Sequence, residues 1–228
     1  MRTKDVEARI AGLDAGRAAK YEEYFATLFP SGPREAFLRW MFAYASVHTT
    51  WKANCKLYEA LKGLDWLGDH HRLLNLIRDS RAGMHNNRAF YITQFSQFYW
   101  KHPDWFRRMP GEAWLAYRDR IMSKAIGLGV AKTSFALELT HFHHADVACM
   151  DTHMLQLYGF EPGNIGQGKV PPSAAAAMEV HWVGACRSRG LSPVTARWMF
   201  WDQKQMQLTP LYWSYTLHTN ATAKFNWT

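Results

Sequence analysis

Cysteine is scarce in this chain: Cys55, Cys149 and Cys186 stand far apart and are odd in number. That set excludes a four-thiolate iron–sulfur cluster and a framework of paired disulfides. Scattered single thiols point to a reducing compartment. Acidic residues are also few beside basic ones, 19 against 27, which leaves a net charge of +8 and a pI near 9.5. An excess of that sign favours a polyanionic partner, without telling DNA from RNA or from a membrane surface. No apolar run approaches the length of a membrane span, and residues 1–30 are too charged for a secretory signal. The expectation is a soluble, cytoplasmic protein with no membrane partner. Strand-like alternation and internal repeats are missing as well.

Aromatic side chains, by contrast, are abundant, with 11 Trp, 10 Tyr and 13 Phe. They suit a heavily aromatic core, and they also suit stacking on nucleic-acid bases. With 48% hydrophobic residues the chain can bury a substantial core. Apolar positions recur at helical spacing throughout, so the expected class is all-α, a single unit over 1–228 with two helical lobes. Helices are expected over 4–28, 34–47, 51–62, 69–79, from about 84 to 100, over 111–125, 130–141 and 152–158, and over 173–189 and 193–206. Pro30-Ser31-Gly32-Pro33, Pro103, Pro110-Gly111 and Ser192-Pro193 punctuate them. The glycine-rich stretch 159–168 reads as the loosest part of the chain.

The stretch that organises the rest is Ile126-Gly127-Leu128-Gly129-Val130-Ala131-Lys132-Thr133-Ser134-Phe135, followed by Cys149-Met150-Asp151-Thr152-His153. Two glycines around one apolar residue permit a tight, partly left-handed turn and a close approach of another surface to bare backbone. The helix that follows presents unpaired N–H groups and the positive end of its dipole, a natural seat for a phosphate. Lys132 and Thr133, in its first turn, would add a charge and a hydroxyl. Asp151 stands where an aspartate commonly caps a helix, so capping and catalysis are both open to it.

These residues resemble the helix-hairpin-helix DNA glycosylase superfamily. There the hairpin is followed, some twenty residues on, by a valine-aspartate-threonine-histidine signature whose aspartate is catalytic; Gly129 and Asp151 are 22 positions apart. Two further stretches match in order. Ala45-Ser46-Val47-His48-Thr49-Thr50 resembles the family's leucine-serine-alanine-glutamine-alanine-threonine segment, with His48 in place of the glutamine that fills the gap left by an extruded base. Gly83-Met84-His85-Asn86-Asn87-Arg88-Ala89 resembles the glycine-leucine-tyrosine-asparagine segment, with Met84 in place of the leucine that wedges into the base stack. The resemblance covers about 35–160, while 1–34 and 170–228 would close the second lobe around a DNA-binding cleft.

The departures are as informative. The lyase lysine of bifunctional members falls on Ala131; Lys132 is the next residue, about 100° round the helix, where a phosphate contact suits it better than a Schiff base. The cluster that many relatives carry after the aspartate has no cysteines here. The resemblance therefore implies no cofactor, with a monovalent cation at the hairpin left open. His141, His143, His144, Asp146 and His153 suggest a metal only weakly, and none is expected. Trp198, Trp201, Trp213 and Tyr215 read as core packing, with Asp202 a minor site candidate.

The resemblance implies catalytic roles for Asp151, Lys132 and His48. It implies DNA contacts from Gly127, Leu128, Gly129, Val130, Ala131, Lys132, Thr133, Met84, His85 and Asn86. The expected partner is double-stranded DNA, bound by a monomer. Phe42–Trp51 and Trp198–Asp202 look most like the bacteriophage branch of the superfamily, the amino acid or polyamine:DNA transferases called glutamyl/putrescinyl-thymine pyrophosphorylases. That likeness implies transfer of an amino acid or amine, as co-substrate, onto activated 5-hydroxymethyluracil, in the host-cell cytoplasm. A monofunctional glycosylase and a catalytically dead docking module are the other readings.

Overall fold

The computed structural model describes residues 2–142, 144–206, 213 and 217. Among them there are twelve α-helices and no strand. Two compact units divide the chain, one made of 30–140 and the other of 1–29 with 141–228.

The unit 30–140 holds α3 (Pro33–Ala45), α4 (Trp51–Leu61), α5 (His70–Ser80), α6 (His85–Lys101), α7 (Trp114–Met122) and α8 (Val130–Thr140), with a 3-10 turn at Pro103–Phe106. Local chemistry sets their starts. Pro33 sits in the first turn of α3, Thr50 caps α4 through Ala53 N at 3.3 Å, and Asp69 caps α5 through Arg72 N at 2.9 Å. Helix α3 is central: Phe37, Trp40, Met41, Phe42 and Tyr44 are all buried, and it packs on α4, α6 and α8. Phe37, Phe95, Tyr99 and Phe106 form one aromatic cluster, with Phe95 and Phe106 edge to face at 5.3 Å.

The other unit holds α1 (Thr3–Ala11), α2 (Ala15–Ala26), α9 (Thr152–Leu157), α10 (Pro162–Gly166), α11 (Pro172–Arg187) and α12 (Pro193–Lys204). The single helix expected over 4–28 is two. Gly12 ends α1, and Asp14 starts α2 by accepting from Arg17 N at 2.6 Å. Within 159–168 a short helix, α10, is present where looseness was expected. Val6, Ile10, Met154, Tyr158, Met178 and Trp182 belong to one core, and Trp198 meets Phe25 edge-on at 4.1 Å and stacks on Trp213 at 5.0 Å. Tyr215, expected among them, lies outside the described residues. Burial pushes the Cys186 thiol up to about 12, leaving it un-ionised at neutral pH. No helix among the described residues is long and apolar enough to cross a membrane.

Candidate functional site

The unit 30–140 carries the hairpin and the stretches 45–50 and 83–89, and one helix organises all three. Helix α6 begins after Met84, whose backbone is left-handed at φ +49. A methionine in that conformation is strained, and it stands exposed at 43%. His85, Asn86 and Asn87, in the first turn of α6, are exposed too. Four residues after Met84 comes Arg88, buried at 3%, and three after that Tyr91.

Arg88 ties the two turns together. Its Nη2 donates to Val47 O at 2.7 Å and Ala82 O at 3.0 Å, its Nη1 to Ala45 O at 3.2 Å and to Tyr44 O, and its Nε to Gly83 O at 3.3 Å. A guanidinium has the planar fork of donors that such a set requires. None of these five acceptors is a carboxylate, and burial pulls the guanidinium below its ordinary value. The carbonyls on one side close α3 just before His48, itself left-handed at φ +43 and exposed. Those on the other side precede Met84. The backbone on the N-terminal side of both left-handed, exposed residues is thus tied to one buried cation.

The hairpin is seated on the same frame. Helices α7 and α8 pack against one another, joined through Ser123–Gly129. Tyr44 Oη donates to Ile126 O at 3.0 Å; burial raises this phenol well above its usual value, so it keeps the proton it donates. Gly127 has φ +89, and a Cβ there would lie 2.3 Å from Cδ2 of Tyr91. Glycine is required at 127 twice over, for its conformation and because the Tyr91 ring occupies the space.

Gly129 differs. Its φ is not in the left-handed region, and a Cβ built on it meets nothing within 4 Å. The fold therefore does not demand glycine at 129, and the turn conformation expected of both glycines belongs to Gly127 alone. What glycine leaves at 129 is open backbone at the mouth of α8, whose first helical hydrogen bond runs from Thr133 N to Gly129 O at 2.9 Å. The amides of that first turn have no partner within the helix.

Two expected DNA contacts do not fit as side chains. Leu128 is buried at 4%, and Thr133 is fully buried with a hydroxyl that meets no partner. Val130 is exposed, whereas Ala131 and Lys132 are half-buried, with Lys132 Nζ 5.5 Å from the Phe135 ring centroid. From Thr133 to Thr140 every residue of α8 is buried, which is why Thr133 turns inward.

Replacing Gly127 by alanine is expected to cost about 2–4 kcal/mol, from strain at positive φ and overpacking on Tyr91. Gly129→Ala should cost less than about 0.5 kcal/mol. Denaturant titration of the two variants checks the difference.

Asp151 belongs to the other unit. It caps α9: Oδ1 accepts from His153 N and Met154 N, each at 3.0 Å. Oδ2 lies 3.7 Å from Nη1 of the buried Arg197 on α12, and a fifth of the side chain is exposed. The approach to Asp151 is fixed by Glu179, a buried residue whose Oε1 accepts from Ala148 N at 2.9 Å. His153 packs edge-on to Trp201 at 5.1 Å. Capping therefore occupies one oxygen and leaves the other facing a cation.

Asp202 is fully buried and accepts from Tyr21 Oη at 2.9 Å, which gives it a structural partner rather than a site. Asp146 pairs with Arg187 at 2.6 Å. His143 lies outside the described residues, His144 is exposed and His141 half-buried. No group of three metal-ligating side chains occurs among the described residues.

Arg88, Tyr91, Tyr44 and Arg197, which contact these segments, are residues that motif reading missed. One signal was available: Arg88, Ile92, Phe95 and Tyr99 share one buried stripe of α6, so a cation interrupts a mostly apolar face. Compared with protein-family models and with curated protein sequences, the chain matches none.

Proposed function

We propose that this chain is a DNA-binding enzyme that acts on an extruded base. The observation that carries the reading is the pair of exposed left-handed turns at His48 and Met84, clasped by Arg88 on the frame that also seats the 126–129 hairpin. In this reading the amides at Gly129–Lys132 take a backbone phosphate, and Lys132 adds charge to it. Met84 enters the base stack, and His48 fills the gap left by the extruded base. The net charge of +8 favours the same partner.

The chemistry we propose is that of the bacteriophage transferases the sequence resembles. The nitrogen of an amino acid or amine attacks the 5-methylene carbon of a pyrophosphorylated hydroxymethyluracil. The carbon–oxygen bond to pyrophosphate breaks, pyrophosphate leaves with the electron pair, and the amine proton passes to the Asp151 carboxylate or to water. Ala131 at the place of the lyase lysine is consistent with a reaction that makes no imine.

Nucleoside mass spectrometry tests this directly. The full chain is incubated with duplex carrying the pyrophosphorylated base and with mixed amino acids and polyamines. A thymidine adduct of amine mass is the expected product. Base loss with abasic sites would replace the transferase by a glycosylase, and unchanged DNA in both assays would contradict an enzymatic role. Borohydride should trap no protein–DNA adduct. Met84→Ala should reduce extrusion, read by 2-aminopurine beside the target base, more than it reduces affinity; an unchanged signal with unchanged activity would remove the wedge.

A further inference from the structure

An open groove of about 620 Å³ lies between α4 and the C-terminal end of α5, and none of the residues proposed above to act on DNA lines it. Four exposed cations line it, Lys52, Lys56, Arg78 and Arg81, against the single carboxylate of Asp79. Lys56 Nζ donates to Asp79 O at 2.6 Å, which satisfies a carbonyl at the end of α5 and fixes the ammonium in the groove. Arg81 follows α5 in the left-handed conformation, at φ +59. The two rims start from one point. Thr50 stands two residues after His48 and Arg81 three before Met84, and Arg88 Nη2 holds Val47 O and Ala82 O together.

We infer that this groove binds the phosphodiester backbone of a nucleic-acid strand, leading it away from the His48 and Met84 turns. The inference rests on the DNA-binding reading above and adds a second phosphate track to the hairpin. The cations are exposed and spread along the groove rather than gathered round a buried donor, so a small anion would be shared with water. A strand delivers a phosphate every 3.4 Å or so of helix axis and gains from each counterion released. A membrane surface would ask for apolar side chains to insert, and the groove offers only Ala53.

The test is the salt dependence of binding of the full chain to a short labelled duplex, followed by fluorescence anisotropy. The groove variant is Lys52→Gln/Arg78→Gln/Arg81→Gln; Lys56 is kept for its bond to Asp79. A control, Lys4→Gln/Lys169→Gln/Arg189→Gln, removes the same charge from exposed positions of the other unit. The groove variant should bind at least about tenfold more weakly at low salt, and its slope of log K on log salt should fall by about 0.9 for each phosphate no longer neutralised. The control should stay near wild type. Equal weakening in both triple variants would overturn the groove, as a generic charge effect. So would a groove variant with the wild-type slope beside a weakened Gly129→Ala, an outcome that leaves the DNA-binding reading standing. A wild-type chain that binds no duplex at any salt sinks both. Loss of binding to phosphatidylserine vesicles with duplex binding intact would assign the groove to a membrane and overturn the inference.

Discussion

Arg88→Met should lower the stability of the unit 30–140 by about 3–5 kcal/mol, because most of the carbonyls it bonds lose their donor. Methionine fills much of the same volume, so a cavity contributes little. The loss comes from the acceptors at Tyr44, Ala45, Val47, Ala82 and Gly83, all of which the N–H groups of this one side chain satisfy. Arg88→Lys should fall between the two, since an ammonium has three donors and no planar fork. Urea titration gives the stability, and amide hydrogen exchange at 48–50 and 84–87 gives the location. Exchange there should accelerate in both variants before the rest of the unit opens. A loss below about 1 kcal/mol with unchanged exchange would mean that the clasp does not hold the turns.

Asp151→Asn is the second large effect, and it falls on rate. Asparagine keeps the oxygen that accepts from His153 N and Met154 N, so the α9 cap survives. It loses the charge that faces the buried Arg197 at 3.7 Å, at a cost of about 1–3 kcal/mol in stability. If the carboxylate takes the amine proton or stabilises developing charge, turnover should fall about a hundredfold or more. Asp151→Ala removes the cap as well and should cost about 1 kcal/mol beyond that. The comparison separates the roles: a cap alone predicts a healthy asparagine variant with wild-type turnover, and that result would end the catalytic assignment. Lys132→Ala should retain substantial turnover at saturating DNA.

Much of the helical framework was legible because apolar spacing and caps agree, as at Pro33, Thr50, Asp69 and Ser192. The break at Gly12-Leu13-Asp14 was not, because Val6, Ile10, Tyr21 and Tyr24 keep helical spacing on both sides of it. The hairpin glycines looked equivalent in sequence; what separates them is a ring seven residues beyond Met84, a contact between α6 and the hairpin that no local pattern encodes. Leu128 and Thr133 looked available because they flank an exposed turn, yet α8 is buried on every side after its first turn. Arg88 was inside a motif, but the motif gave it no role. Its burial depends on five carbonyls brought together from the end of α3 and the start of α6.

Gly129→Ala tests most directly whether the open backbone at Gly129 is a phosphate seat. The substitution meets no atom of the protein within 4 Å, so any effect reports on what approaches from outside. Duplex affinity across a series of salt concentrations is the measurement, with melting temperature recorded in parallel. An unchanged melting temperature with affinity reduced about tenfold or more, together with a slope reduced by about one in Lys132→Ala, is the predicted result. Wild-type affinity in a folded Gly129→Ala protein, at every salt concentration, would contradict it.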